Sequence, residues 1–158
     1  MKIRNVEMNN RKNEFTVTTR SGSVYVLPYS KADPCPKPDN RIKKLFVDKD
    51  FASEAFTYLL ESGEEGSIHI EQILEYNDDP TYYAELLIYK LSLEARRRVE
   101  KSELSRRQIA RRLSTSVPQL YRLLDPSNSR KSIRQLIALL HVLDCDLNLV
   151  VKSRKEAA

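Results

Sequence analysis

At 158 residues, with 41% hydrophobic and 31% charged residues, the chain has the composition of a soluble globular protein of one ordinary domain or two small ones. No run approaches the ~18 apolar residues of a membrane span, and the N-terminus MKIRNVEMNNRKN lacks the apolar core of a secretory leader, so the expected compartment is the cytoplasm with no membrane partner. Cys35 and Cys145 are far apart and have neither CxxC spacing nor a histidine at ligand spacing, which argues against a disulfide framework and against a metal site.

The net charge of +5 is unevenly spread. From Lys90 to Arg134 there are thirteen Lys or Arg against four acids, whereas Asp50 to Glu85 holds ten acids and no Lys or Arg. Positive charge gathered on one short module is the electrostatic footprint of phosphate binding, and a base-free acidic stretch points away from it.

In chain order, Ile3 to Glu7, Glu14 to Thr19 and Val24 to Leu27 alternate as strands, with Ser21-Gly22 as the turn of a hairpin. Pro28, Pro34, Pro36 and Pro38 make residues 28 to 40 irregular. Ile42 to Val47 reads as a further short strand. Phe51, Ala55, Phe56, Leu59 and Leu60 fall at helical spacing, so a helix is expected over 51 to 60; Ile68 to Tyr76 reads as a strand followed by a turn of helix. The expectation for residues 1-78 is a small α+β domain, a β-hairpin sheet with a helix.

Asn77-Asp78-Asp79-Pro80 marks the boundary, with Asp79 as the cap of a helix that starts at Pro80 and continues without a breaker to about Lys101. Residues 79-158 are expected to form an all-α domain with a short C-terminal strand over Leu147 to Val151. Within it, Ile109, Ala110 and Leu113 give one apolar face to a short helix whose opposite face carries Arg106, Arg107, Arg111 and Arg112. Ser114, Thr115 and Ser116 interrupt the pattern, and Val117, Leu120, Leu123 and Leu124 resume it. Ser105 with Gln108, Ser116 with Gln119 and Ser132 with Gln135 all match the reciprocal capping pattern, and Pro118 falls in a first turn where its missing N–H costs nothing. Ile133, Leu136, Ile137, Leu140 and Leu143 define a last helix.

Two short helices around a three-residue polar corner, with the small Ala110 in the first, describe a helix-turn-helix. Over Ser102 to Val151 the chain resembles the XRE (Cro-like) helix-turn-helix family, and the variant found in HigA-type antitoxins and in the C-terminal part of some HicB antitoxins, where a run like Leu123-Leu124-Asp125-Pro126 follows the recognition helix. It departs from that family at Ser114, where glycine is usual, and at Thr115, where an apolar residue is usual. Residues 1-78 resemble the small domains of unknown function that precede such units in bacterial proteins.

The resemblance implies a sequence-specific double-stranded DNA-binding protein acting as a transcriptional regulator, with the helix 117-124 in the major groove. Val117, Pro118 and Arg122 then occupy base-facing positions with Ser116, Gln119 and Tyr121 beside them. Arg106 and the loop residues Asn128, Ser129, Arg130 and Lys131 occupy places that touch phosphates. A homodimer reading two half-sites is the expected assembly. The alternative is an antitoxin-type protein whose N-terminal domain captures a partner protein while DNA binding serves autoregulation. No catalytic residue and no cofactor is expected: His69 and His141 are the only histidines, and the sequence holds no nucleophile motif or phosphate loop.

Overall fold

A computed structural model describes residues 1–153. The chain forms two compact units, Met1–Tyr83 and Ala84–Ala158.

The first unit holds six strands, β1 (Ile3–Asn9), β2 (Glu14–Thr19), β3 (Val24–Pro28), β4 (Ile42–Asp48), β5 (Ala55–Leu60) and β6 (Glu65–His69), and helix α1 (Ile70–Tyr76). They make two separate three-stranded antiparallel sheets, β1-β2-β3 and β4-β5-β6. The two sheets are copies of one pattern. Asn9 faces Glu14, Met8 faces Phe15 and Val6 faces Val17 in the first; Asp48 faces Ala55, Val47 faces Phe56 and Leu45 faces Tyr58 in the second. Each opens with a register shift, at Ile3/Asn5 and at Ile42/Lys44. The second turn of each copy carries a glycine in the left-handed region, Gly22 at φ 93° and Gly63 at φ 90°, a conformation in which a side chain would be strained. Even the chain exits match: Tyr29 N–H donates to the Asn13 carbonyl at 2.8 Å, and Ile70 N–H to the Glu54 carbonyl at 2.7 Å.

Apolar burial joins the copies, together with a backbone bond from Ile3 N–H to the Ser53 carbonyl at 2.7 Å. Phe15 at the centre of the first sheet meets Phe56 and Tyr58 of the second, with ring centroids 4.9 and 5.4 Å apart, and Tyr29 at 4.7 Å. Ile3, Val17, Leu27, Ile42, Leu60, Ile68 and Ile73 complete this core. Tyr58 is fully buried, donates its hydroxyl to the Pro34 carbonyl at 2.7 Å, and has its pKa pushed up to about 12, first by that burial and then by Asp33 and Cys35 nearby. The outer edge of β3 is closed by Asn77, whose side chain accepts from Val26 N–H at 3.5 Å and donates to the Val26 carbonyl at 2.9 Å, replacing a missing strand.

These observations overturn the expected fold class, a β-hairpin sheet with a helix followed by an all-α domain with a C-terminal strand. Strands come first, in two three-stranded sheets, and five helices follow. Residues 55 to 60 are a strand rather than a helix. Ala55, Phe56, Thr57, Tyr58 and Leu60 are all buried, so β5 is covered on both faces and shows no alternation; its apolar residues met a helical spacing by coincidence. Leu147 to Val151 form no strand, and Leu149 and Val151 are 83% and 85% exposed. An alternating apolar run marks strand propensity, but pairing needs an edge, and the described part of the second unit offers none.

Helix α2 (Pro80–Lys101) starts at Asp79, whose carboxylate accepts from Tyr82 N–H at 2.9 Å and from the Tyr25 hydroxyl at 2.8 Å. Those two donors hold the Asp79 carboxyl below the ordinary aspartate range. Its C-terminal half packs with α3 (Arg106–Arg112), α4 (Val117–Leu124) and α5 (Ile133–Val142). Ala95, Val99, Ile109, Ala110, Leu120, Leu123, Leu136, Leu139 and Leu140 form the shared core. Helices of seven or eight residues such as α3 and α4 are too short to persist alone, so this burial is what keeps them helical.

Candidate nucleic-acid interface

The corner between α3 and α4 is built by a helix stop with serine where glycine would be easiest. Ser114 sits at φ 54°; its N–H donates to the Arg111 carbonyl at 3.0 Å, and Thr115 N–H reaches back to Ala110 at 2.9 Å. This pair of bonds is the left-handed stop that closes a helix C-terminus. Asp78 after α1 and Asp144 after α5, at φ 52° and 56°, repeat the arrangement, with Asp79 N–H on Leu74 and Cys145 N–H on Leu140. Ser114→Gly is therefore expected to raise stability by up to about 1 kcal/mol in urea denaturation, the relief of left-handed strain being offset by the greater freedom of glycine in the unfolded chain.

Capping differs among the three serines. Ser105 and Gln108 form the complete reciprocal box, at 3.2 and 2.8 Å. Ser116 only accepts from Gln119 N–H, at 3.3 Å, and Ser132 makes no side-chain cap. A box that sequence spacing missed starts α1: His69 Nδ1 accepts from Glu71 N–H at 3.3 Å while Gln72 takes His69 N–H at 3.1 Å.

Leu120, Leu123 and Leu124 bury one side of α4, which leaves Pro118, Gln119, Tyr121 and Arg122 exposed. Gln119 and Arg122 line a cleft of about 250 Å³ together with Asn128, Arg130 and Gln135. Arg106 and Tyr121 border a separate groove of about 300 Å³ with Arg96, Glu100 and Asp125. Ser116 serves as the α4 cap, Ser129 is exposed, and Val117 is half-buried against the core rather than free for a base. Gln135 was missed because it lies one helix away, on α5, and has no charge to draw attention.

The loop after α4 is internally tied. Asp125 Oδ1 accepts from Ser127 Oγ at 2.7 Å and from Ser127 N–H at 3.0 Å, which holds its carboxyl below the usual range, with Lys131 and Arg96 adding to the effect. Asn128 donates to the Arg122 carbonyl at 3.4 Å and accepts from Arg130 N–H at 3.2 Å, so it positions the loop that carries Arg130. Lys131 departs from its expected role. It is only 7% exposed, and its ammonium donates to the Leu123 carbonyl at 2.8 Å and to the Asp125 carbonyl, satisfying the C-terminal end of α4 instead of meeting a phosphate. Burial lowers its pKa, opposed by the Asp125 carboxylate. Lys131→Met is expected to cost about 2 kcal/mol, because the buried Leu123 carbonyl and the partly buried Asp125 carbonyl lose their donor, and urea denaturation should show Arg130→Ala nearly silent by comparison.

The arginines divide into two sets. On α2, Glu94 pairs with Arg97 at 2.9 Å and Arg98 at 2.8 Å, and Glu100 pairs with Arg96 at 3.3 Å, so each of those cations has a carboxylate partner, two of them sharing one. Among the described residues, Arg106, Arg107, Arg111, Arg112, Arg122 and Arg130 have no acid within ion-pair distance, and no acid lies between Glu103 and Asp125.

No family model matches the chain, and neither the curated proteins nor the solved structures searched contain a match. No helix among the described residues is long and apolar enough to cross a membrane, and no three His, Cys, Asp or Glu side chains there are grouped to hold a metal ion.

Proposed function

We propose that the chain is a sequence-specific double-stranded DNA-binding protein acting as a transcriptional regulator, with α4 entering the major groove. What carries this reading is the set of arginines on α3, α4 and the following loop that form no ion pair among the described residues, next to a short capped helix whose outer face presents Gln119 and Arg122. Unpaired cations make phosphate contacts that orient a module, and an amide and a guanidinium on the exposed helix supply base readout. Arg122 takes guanine O6 and N7 in a bidentate fork, and Gln119 suits adenine N6 and N7. Arg130 and Arg106 serve the backbone.

A single module of this size reads few base pairs, so two copies acting on two half-sites are part of the proposal. The exposed apolar side chains of Leu87 and Leu93 on α2 and of Leu147 and Leu149 supply surface for that pairing. The test is selection of bound sequences from random duplexes by the purified protein. Enrichment of a motif with two symmetric halves about 10 bp apart supports the reading, and recovery of unenriched DNA overturns it.

A further inference from the structure

The first unit carries a second cationic feature, unrelated to the arginines of α3 and α4. A cleft of about 180 Å³ is lined by Asn10, Arg11 and Asn13 of the β1–β2 loop, by Tyr29, by Lys37 and by Arg41 at the start of β4, with Pro36, Pro38 and Ile42 as apolar wall. Among the described residues, none of Arg11, Lys37 and Arg41 forms an ion pair.

Two of these cations stand on a rigid support. Lys37-Pro38-Asp39-Asn40 is a turn closed in both directions, Asn40 N–H on the Lys37 carbonyl at 3.0 Å and Lys37 N–H on the Asn40 carbonyl at 3.1 Å. Arg41 Nε donates to the Pro38 carbonyl at 3.1 Å, which fixes the guanidinium and leaves its Nη donors for a ligand. Across the cleft, the Tyr29 hydroxyl donates to Asn10 Oδ1 at 2.9 Å, so the Asn10 amide offers its N–H₂.

The duplication provides an internal control. The matched exit bonds align Tyr29 with Ile70 and Asn13 with Glu54, and the matched strand pairs align Asn9 with Asp48. The second copy therefore folds with an isoleucine where the first has a buried tyrosine whose hydroxyl reaches the cleft, and with an acid where the first has an amide. The fold of the meander therefore does not itself require the Tyr29 hydroxyl or the Asn13 amide.

We infer that this cleft binds the phosphate group of a small phosphorylated molecule. The Arg41 guanidinium held on the Pro38 carbonyl, the Arg11 guanidinium, the Lys37 ammonium and the Asn10 amide supply donors around one cleft, the arrangement that suits a compact dianion, while the Glu61 carboxylate is engaged by the Arg41 backbone N–H at 3.4 Å; the proline and isoleucine wall accommodates the carbon skeleton attached to the phosphate.

The experiment is calorimetric titration of the full chain with inorganic phosphate, with ribose 5-phosphate and with a 20-bp duplex, repeated on Arg11→Gln/Arg41→Gln. The expected result is saturable binding of both small phosphates, weakened at least about tenfold in the double variant for loss of two charge-assisted contacts, and unchanged duplex affinity. Inorganic phosphate binding as tightly as ribose 5-phosphate would identify the free ion as the ligand; tighter ribose 5-phosphate would identify a phosphomonoester. Both substitutions are at exposed positions, and an unchanged melting temperature of the double variant verifies folding. The inference is overturned by the absence of binding up to ~10 mM, where even the weakest affinity of interest would register. It is equally overturned by binding that the double variant retains, or by a loss of duplex affinity equal to the loss for phosphate, which would make the cleft a nucleic-acid contact.

Discussion

Arg122→Ala is expected to lower affinity for the selected duplex by about 10- to 100-fold and to leave affinity for a scrambled duplex nearly unchanged, because a bidentate guanine contact is worth ~1–3 kcal/mol of discrimination. Arg130→Ala should behave differently. Its loop is held by Asn128 and Ser127 independently of the arginine side chain, so under the proposed function removing that side chain subtracts one phosphate contact and leaves the loop in place. Affinity should drop alike on both duplexes, and the slope of log K against log salt should fall by about one. Fluorescence titration of both variants on both duplexes, at several salt concentrations, separates these roles. Equal losses everywhere would mean that α4 does not read bases.

The largest effect on folding should come from Gly66→Ala. Gly66 lies in β6 opposite Tyr58 of β5, and a Cβ built there would overlap Tyr58 Oη and Cζ and lie 2.7 Å from Cε1. Tyr58 cannot step aside: its ring is fully buried against Phe15, and its hydroxyl is bonded to the Pro34 carbonyl. Overpacking of this kind costs ~3 kcal/mol or more when the neighbour is locked, a large share of the stability of a small unit. Urea denaturation followed by tyrosine fluorescence should show it. Tyr58→Phe should not rescue Gly66→Ala, since Cζ and Cε1 remain, whereas Tyr58→Leu should recover part of the loss.

Much of the helical unit was legible because its residues do one thing at a time. The stripe Leu120, Leu123, Leu124 faces a core, and Ser105 with Gln108 closes the cap its spacing suggests, although the same spacing yields half a box at Ser116 and none at Ser132. The helix stops were harder to see, since Asp78, Ser114 and Asp144 take a backbone angle that the sequence advertises only when glycine is there. The clustering of charge was legible, but the placement of individual cations was not. Whether a lysine faces solvent or ends a helix depends on the path of the loop, and Lys131 turns inward because the last carbonyls of α4 are within reach.

The first four strands were legible as runs of apolar and β-branched residues, whereas β5 reads as a helix in the sequence for a different reason. Alternation reports a strand with one wet face, and β5 has none. The duplication was nevertheless present in the letters: Phe15-Thr16 followed by Ser21-Gly22 returns as Phe56-Thr57 followed by Ser62-Gly63. Comparing the chain with itself, rather than scanning for periodicity, would have paired the two sheets and placed β5 beside β4.

Each meander has an apolar face that its twin covers, with Ile70, Ile73 and Leu74 of α1 adding to the cover, so the first unit resembles a dimer whose subunits are tethered. The connecting segment 29–41 holds the twins at an effective concentration in the millimolar range, which no dilution of the protein changes. A protease nick in that tether would leave the halves associated through Phe15 and Phe56 while their shared core remained dry. Either half produced alone would have to find that cover in another molecule, and self-association would replace folding.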